Sequence, residues 1–153
     1  MENKAKFQDI EVSLNRATEE DIRDFLIRKS HNQGYYVPFT ERSDIDTYAK
    51  KWRSFGNTYE IWHNNQLDAL LVVYFNLENK EIYIPFVYTA GAQSGDELEY
   101  PLFNDIVRFR YPFTGVRLSC RVGDDWRIQF YSGLGFRQVS LTDKRIEFFL
   151  SFK

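Results

Sequence analysis

Few residues in this chain have the type and spacing to do chemistry, so each can be weighed in turn. The two histidines, His31 and His63, lie far apart in sequence and share no metal-ligand spacing, so structural or surface roles account for them. Cys120 is the single cysteine. It falls in a segment that reads as a buried strand, with Arg117 and Arg121 nearby and no histidine paired to it, which fits an inert thiol. Asp124-Asp125 is half a metal site by residue type, but a helix N-cap explains it better. Asp96, Glu97 and Glu99 suit the positive end of a helix, or an acidic patch for a cationic partner. No P-loop lysine motif, Ser/His/Asp pattern or zinc signature occurs, and no metal is expected. Two stretches remain. One is GYYVPFT at 34–40, followed by Arg42. The other is DDWRIQFYSGLGF at 124–136, which carries Tyr131, a phenol that is neutral at pH 7.

The elements that must position these stretches follow from the apolar spacing. Residues 10–14 alternate as a strand. Thr18 then caps a helix with Glu19, Glu20 and Asp21 in its first turn, and Ile22, Phe25 and Leu26 form its buried stripe. Pro38 restricts Val37, so 34–40 is not helical throughout. Ser43 caps a second helix whose apolar face is Ile45, Tyr48, Ala49, Trp52 and Phe55, with Gly56 ending it. Strands at 59–63, 67–76 and 81–89 follow with links so short that they imply an antiparallel meander. The run Leu70-Leu71-Val72-Val73 is apolar on both faces and predicts a strand covered on both sides. Pro85 requires a bulge or a local loss of pairing in its strand, which predicts a splayed opening toward the strand at 116–122. A loop over 90–99 leads to a third helix reaching about residue 110, with Pro101 in its first turn and Leu102, Phe103, Ile106 and Val107 inward. The segment at 124–136 is a short helix stopped at Gly135, and strands at 136–141 and 145–152 close the chain. The order βααβββαβαββ is an α/β arrangement around a mixed sheet, in one domain spanning 1–153.

Strand, helix, Leu-Gly-Phe, strand resembles the C-terminal half of the GNAT superfamily of acyl-CoA-dependent acetyltransferases. There the helix carries Asn-x-x-Ala-x-x-(Phe/Leu)-Tyr-x-x-x-Gly-Phe. Phe130, Tyr131, Leu134, Gly135 and Phe136 match, while Asp124 replaces the usual Asn and Arg127 the usual Ala. The resemblance implies that Tyr131 is the general acid. The element order is also that of GNAT proteins, so the resemblance spans nearly the whole chain. PFTERSDIDTY at 38–48 resembles Pro-x-Ser-Glu-Arg-x-Asp-Leu-x-x-Tyr of a subgroup associated with bacterial surface-polysaccharide gene clusters. That implies an acceptor site walled by this loop, with Tyr35, Tyr36 and Phe39 as stacking faces for a sugar or nucleotide and Arg42 for a phosphate. A loop and a capped helix is the plainer account of the same residues.

The cofactor loop departs from the family. Ser94, Gly95, Asp96, Glu97, Leu98 and Glu99 stand where Arg-Gly-Lys-Gly-Ile-Gly is common. The family glycines let backbone N–H groups approach the CoA pyrophosphate at a helix N-terminus. A carboxylate there is repulsive, by roughly 1 kcal/mol per pair at ~4 Å in water. Gly91, Ala92, Gln93, Ser94 and Gly95 can instead present their N–H groups one turn earlier, with Val87 and Thr89 at the strand end holding the thioester region.

Two readings stay open. One is transfer of an acetyl or other small acyl group from acetyl-CoA (or another acyl-CoA) to a primary amine, of an amino sugar if the subgroup resemblance holds. The other is a GNAT-fold binding or interaction module that has lost CoA binding, which the acidic loop favours. A net charge of −2 gives no basic footprint for nucleic acid. The longest uncharged apolar run, 69–75, is too short to span a bilayer, and the first residues have no signal-peptide character, so no membrane partner is expected. Together with the lone cysteine this predicts a cytoplasmic protein. Its oligomeric state, a homodimer included, is left open.

Overall fold

A computed structural model describes residues 10–30, 42–88, 95–108 and 110–152. Its elements are β1 (Ser13–Leu14), α1 (Glu19–Ser30), α2 (Arg42–Phe55), β2 (Asn57–His63), β3 (Gln66–Asn76), β4 (Glu81–Tyr88), α3 (Gly95–Asn104), β5 (Gly115–Arg121), α4 (Asp125–Leu134), β6 (Arg137–Leu141) and β7 (Arg145–Ser151). The strands form a mixed sheet in the order β1-β2-β3-β4-β5-β7-β6, with β3 and β4 running through both of the chain's two compact units.

The first unit comprises Met1–Val72 and Phe86–Phe103. Helix α1 starts where Thr18 and Asp21 cap each other: the Asp21 N–H donates to Thr18 Oγ1 at 3.1 Å, and the Thr18 N–H to Asp21 Oδ2 at 2.9 Å. Its stripe of Ile22, Phe25 and Leu26 is fully buried. On α2 the buried stripe is Ile45, Ala49 and Trp52, and the Trp52 ring stacks on Phe86 at 4.8 Å. Tyr48 and Phe55 differ from expectation: they are 37% and 75% exposed, because i, i+4, i+7 from Ile45 fills the stripe and leaves them off its line. The strands β2 and β3 meet at Asn64-Asn65, whose φ values of 52° and 63° are those of a two-residue hairpin turn. Ala69–Val73 are completely buried, as a strand covered on both faces requires. The first strand is shorter than its alternating sequence predicts. Only Ser13 and Leu14 pair with β2, at Glu60 and Tyr59.

The second unit comprises Val73–Pro85 and Asn104–Lys153. Strands β4 and β5 are parallel, β5 and β7 antiparallel along their whole length, and β6 antiparallel to β7 with an irregularity between Gln138 and Ser140. Gly115 is required where β5 meets β7, since a Cβ there would lie 2.3 Å from the Leu150 carbonyl oxygen and 2.4 Å from the Phe149 ring. The third helix departs from its predicted span. It begins at Gly95, ends at Asn104 rather than near residue 110, and contains Pro101 as its seventh residue rather than in its first turn. Proline removes the bond to the carbonyl four residues back, and the helix lasts only three residues more. Ile106 is nevertheless buried, as its spacing predicts, from the turn that follows.

Candidate active site

Tyr131 is placed by the two ends of α4. At the start, the Asp124 carboxylate accepts the Arg127 backbone N–H at 3.3 Å. At the end, Gly135 has φ 107°, and the N–H groups of Gly135 and Phe136 donate to the carbonyls of Ser132 and Tyr131 at 3.1 and 3.0 Å. Only glycine adopts that conformation at little cost, so Leu-Gly-Phe turns the chain back and brings Phe136 against Tyr131. The Tyr131 ring is 1% exposed and packs on Phe130, Phe136 and Phe148 at 5.8–5.9 Å between centroids.

The hydroxyl of this buried ring meets a charge. Arg127 Nη1 donates to Tyr131 Oη at 3.1 Å, and Arg127 Nε lies 3.6 Å from Asp124 Oδ2. Positions i, i+3 and i+7 share a helix face, so carboxylate, guanidinium and phenol follow one another along α4. Sequence reasoning passed over Arg127. Its signal was a long cation one turn before the tyrosine, at a position where the motif has alanine. Cys120, on β5, is a buried thiol whose pKa is pushed up to about 11 by burial and then by the Asp124 carboxylate, with Arg145 opposing. It stays protonated and is a poor nucleophile.

The β4–β5 ladder runs from Glu81↔Gly115 to Ile84↔Leu118 and ends one residue before Pro85, while Ser119–Arg121 continue against β7. This is the loss of pairing that Pro85 predicts. The paired end is fastened by Arg117, whose Nε and Nη2 donate to the two Glu81 carboxylate oxygens at 2.8 and 3.0 Å. That hydrogen bonding holds the Glu81 carboxyl below its ordinary range and raises Arg117 further.

The remaining residues singled out by sequence are placed unevenly. Val87 is half-buried near the end of β4 in the first unit, and Tyr131 belongs to the second. Gly95 and Arg42 open α3 and α2. Thr89, Gly91, Ala92, Gln93, Ser94, Tyr35, Tyr36 and Phe39 lie outside the described residues. Glu60, on β2, is fully buried and accepts four hydrogen bonds. Ser13 Oγ and the Arg16 N–H donate to Oε1 at 2.5 and 3.1 Å, the Ala17 N–H and Thr58 Oγ1 to Oε2 at 2.9 and 2.5 Å. A carboxylate so occupied serves structure. Among the described residues, no cluster of three or more His, Cys, Asp or Glu could hold a metal ion, and no helix is long and apolar enough to cross a membrane.

No protein-family model and no curated protein sequence matches the chain. Solved structures do. A GNAT-family acetyltransferase from Staphylococcus aureus superposes with a TM-score of 0.68 at 13% identity, over 94% of this chain and all of that one. A spermidine N-acetyltransferase, SpeG, in a chimera from Vibrio cholerae and hSSAT gives 0.65 at 13% identity, over 92% and 95%. FdhC, a nucleotide-linked sugar GNAT, gives 0.62 at 13% identity, over 92% and 86%. The fold of this chain is the GNAT acetyltransferase fold.

Proposed function

We propose that this protein transfers an acetyl or other small acyl group from acyl-CoA to the primary amine of a small molecule. The neutral amine attacks the thioester carbonyl directly in a ternary complex, so that holding the two reactants together provides much of the acceleration. Backbone N–H groups at the end of β4, where pairing with β5 has stopped, are suited to the thioester oxygen as it gains charge. Tyr131 protonates the departing thiolate. The observation that carries this reading is the Tyr131 hydroxyl itself: it is fixed by a helix cap, a glycine turn and three aromatic rings, with a guanidinium at its oxygen.

For the acceptor, the resemblance carried by PFTERSDIDTY favours an amino sugar, free or carried on a nucleotide, with Tyr35, Tyr36, Phe39 and Arg42 lining its site. The neighbours include a protein described as acting on spermidine and one described as a nucleotide-linked sugar enzyme. Acetyl-CoA would be held by the backbone of Gly91, Ala92, Gln93, Ser94 and Gly95, with Val87 and Thr89 at the strand end. The second reading, a binding module without catalysis, is favoured by Asp96, Glu97 and Glu99 at the start of α3. Calorimetry with acetyl-CoA, followed by a CoA-release assay across nucleotide-linked amino sugars and spermidine, separates the two. Weak binding, tightened by about 1 kcal/mol in Glu97→Gln, is expected for the enzyme. No binding by either protein would favour the module.

A further inference from the structure

The two residues by which this segment departs from the motif it resembles, Asp124 and Arg127, lie in a chain that ends at Tyr131: Arg127 donates to the Tyr131 hydroxyl, and Asp124 faces Arg127. Arg127 is 11% exposed in its side chain and points along the helix to Tyr131 Oη, while its Nε faces the Asp124 carboxylate that also caps the helix. A guanidinium that donates to a phenol oxygen occupies one lone pair and so restricts where the hydroxyl proton can point. When that proton leaves, the charge left on oxygen sits 3.1 Å from a cationic nitrogen. We propose that Arg127, held by Asp124, is a positioning residue for Tyr131: it orients the phenol and stabilises the phenolate formed when the phenol gives up its proton.

This rests on the acyl-transfer reading for its consequence, though not for its geometry. In the reaction, the amine nitrogen–carbon bond forms and the carbon–sulfur bond breaks. Sulfur takes the Tyr131 proton, and the phenolate recovers the proton that the acylated amine releases. Arg127 enters this scheme only as a hydrogen-bond donor. Among the described residues, the contacts place Arg127 and Asp124 as charged groups on this side of α4, and Arg145 faces the Cys120 thiol. The rings of Phe136 and Phe148 bring no charge, and the Cys120 thiol beside Asp124 is neutral.

Two measurements on the full chain test the proposal. The first is NMR titration of [13Cζ]-tyrosine protein, with the Tyr131 signal assigned from its absence in Tyr131→Phe. In Arg127→Gln the Tyr131 midpoint should rise by about one pH unit or more, in Arg127→Lys by less, and in Asp124→Asn, which keeps a capping oxygen, least of all. An unchanged midpoint in Arg127→Gln overturns the proposal whether or not an acceptor has been found. The second is turnover: Arg127→Gln should lower kcat by about 10–100-fold at unchanged KM and unchanged Tm. The double variant Arg127→Gln/Tyr131→Phe should be no slower than Tyr131→Phe alone. Independent, multiplying losses would mean that Arg127 does not act through Tyr131. Full turnover by Tyr131→Phe would sink the general-acid reading, and the titration would still decide whether Arg127 governs the phenol.

Discussion

Glu60 in the first unit and Tyr131 in the second are both buried oxygen-bearing side chains with an arginine near by, and the two are treated in opposite ways. In the first, Glu60 is surrounded by neutral donors: two hydroxyls and two backbone amides fill both oxygens. The arginine stands one step back, with Arg53 donating to Thr58 Oγ1, which in turn donates to Glu60. In the second, Arg127 reaches the Tyr131 oxygen directly. A buried anion saturated by neutral donors has nothing left to give and ties β1, β2 and the start of α1 together. A neutral phenol touched by a cation is ready to become an anion. Saturation marks the scaffold, and a charged donor on a protonated oxygen marks the place where charge is to develop.

The sharpest way to break the comparison is to remove each oxygen in turn. Tyr131→Phe keeps the ring and its three aromatic neighbours and deletes only the hydroxyl. Turnover should fall by about 10²–10⁴-fold, with acetyl-CoA affinity by calorimetry nearly unchanged. Glu60→Ala should do the reverse. The backbone N–H groups of Arg16 and Ala17 cannot rotate to new partners, and an orphaned buried donor such as the Ala17 N–H costs about 1–3 kcal/mol. Urea unfolding should show a loss of roughly 3 kcal/mol, with kcat of the folded fraction intact. A Glu60 variant that stays stable but loses turnover would erase the distinction drawn between the two regions.

Much of this was legible in the sequence, for identifiable reasons. The buried stripes at Ile22, Phe25 and Leu26 and at Ile45, Ala49 and Trp52, the apolar run of β3, and the Leu-Gly-Phe stop after α4 are patterns that local spacing and one glycine conformation dictate. The end of the β4–β5 ladder follows from the missing N–H of Pro85. The early end of α3 was not legible, because Ile106 and Val107 keep helical spacing inside a turn. Nor was the role of Arg127. A charge at i−4 from a tyrosine reads as solvated surface until the neighbouring rings are seen to bury it. Glu60 looks like any polar residue of a strand, and its four donors come from separate stretches of chain that only the fold assembles.

A direct arginine–carboxylate pair supplies the scale between the two. Arg117 and Glu81 are bidentate across the paired end of β4 and β5, with side chains 30% and 22% exposed, and Glu147 lies 3.6 Å from Arg117. Neither group is saturated like Glu60 nor aimed at a reactive oxygen, so the pair should act on stability alone, and weakly. The carboxyl of Glu81 is held below its ordinary value of 4.5, chiefly by the hydrogen bonds from Arg117. A folded value below the unfolded one means stability that is fully present above pH 4.5 and is lost as pH falls through the lower folded value. Arg117 is shifted upward and stays charged across that window, so it adds no slope of its own. Solvent screening at this exposure holds the contribution to about 0.5–1 kcal/mol. Urea unfolding of the wild type and of Glu81→Gln at pH 7 should differ by that amount, and the two should converge as the pH falls through the folded value of Glu81, below 4.5. A gap that persisted unchanged in acid would show that Glu81 acts by packing rather than by charge, and a change in kcat in Glu81→Gln would move the pair from the scaffold to the site.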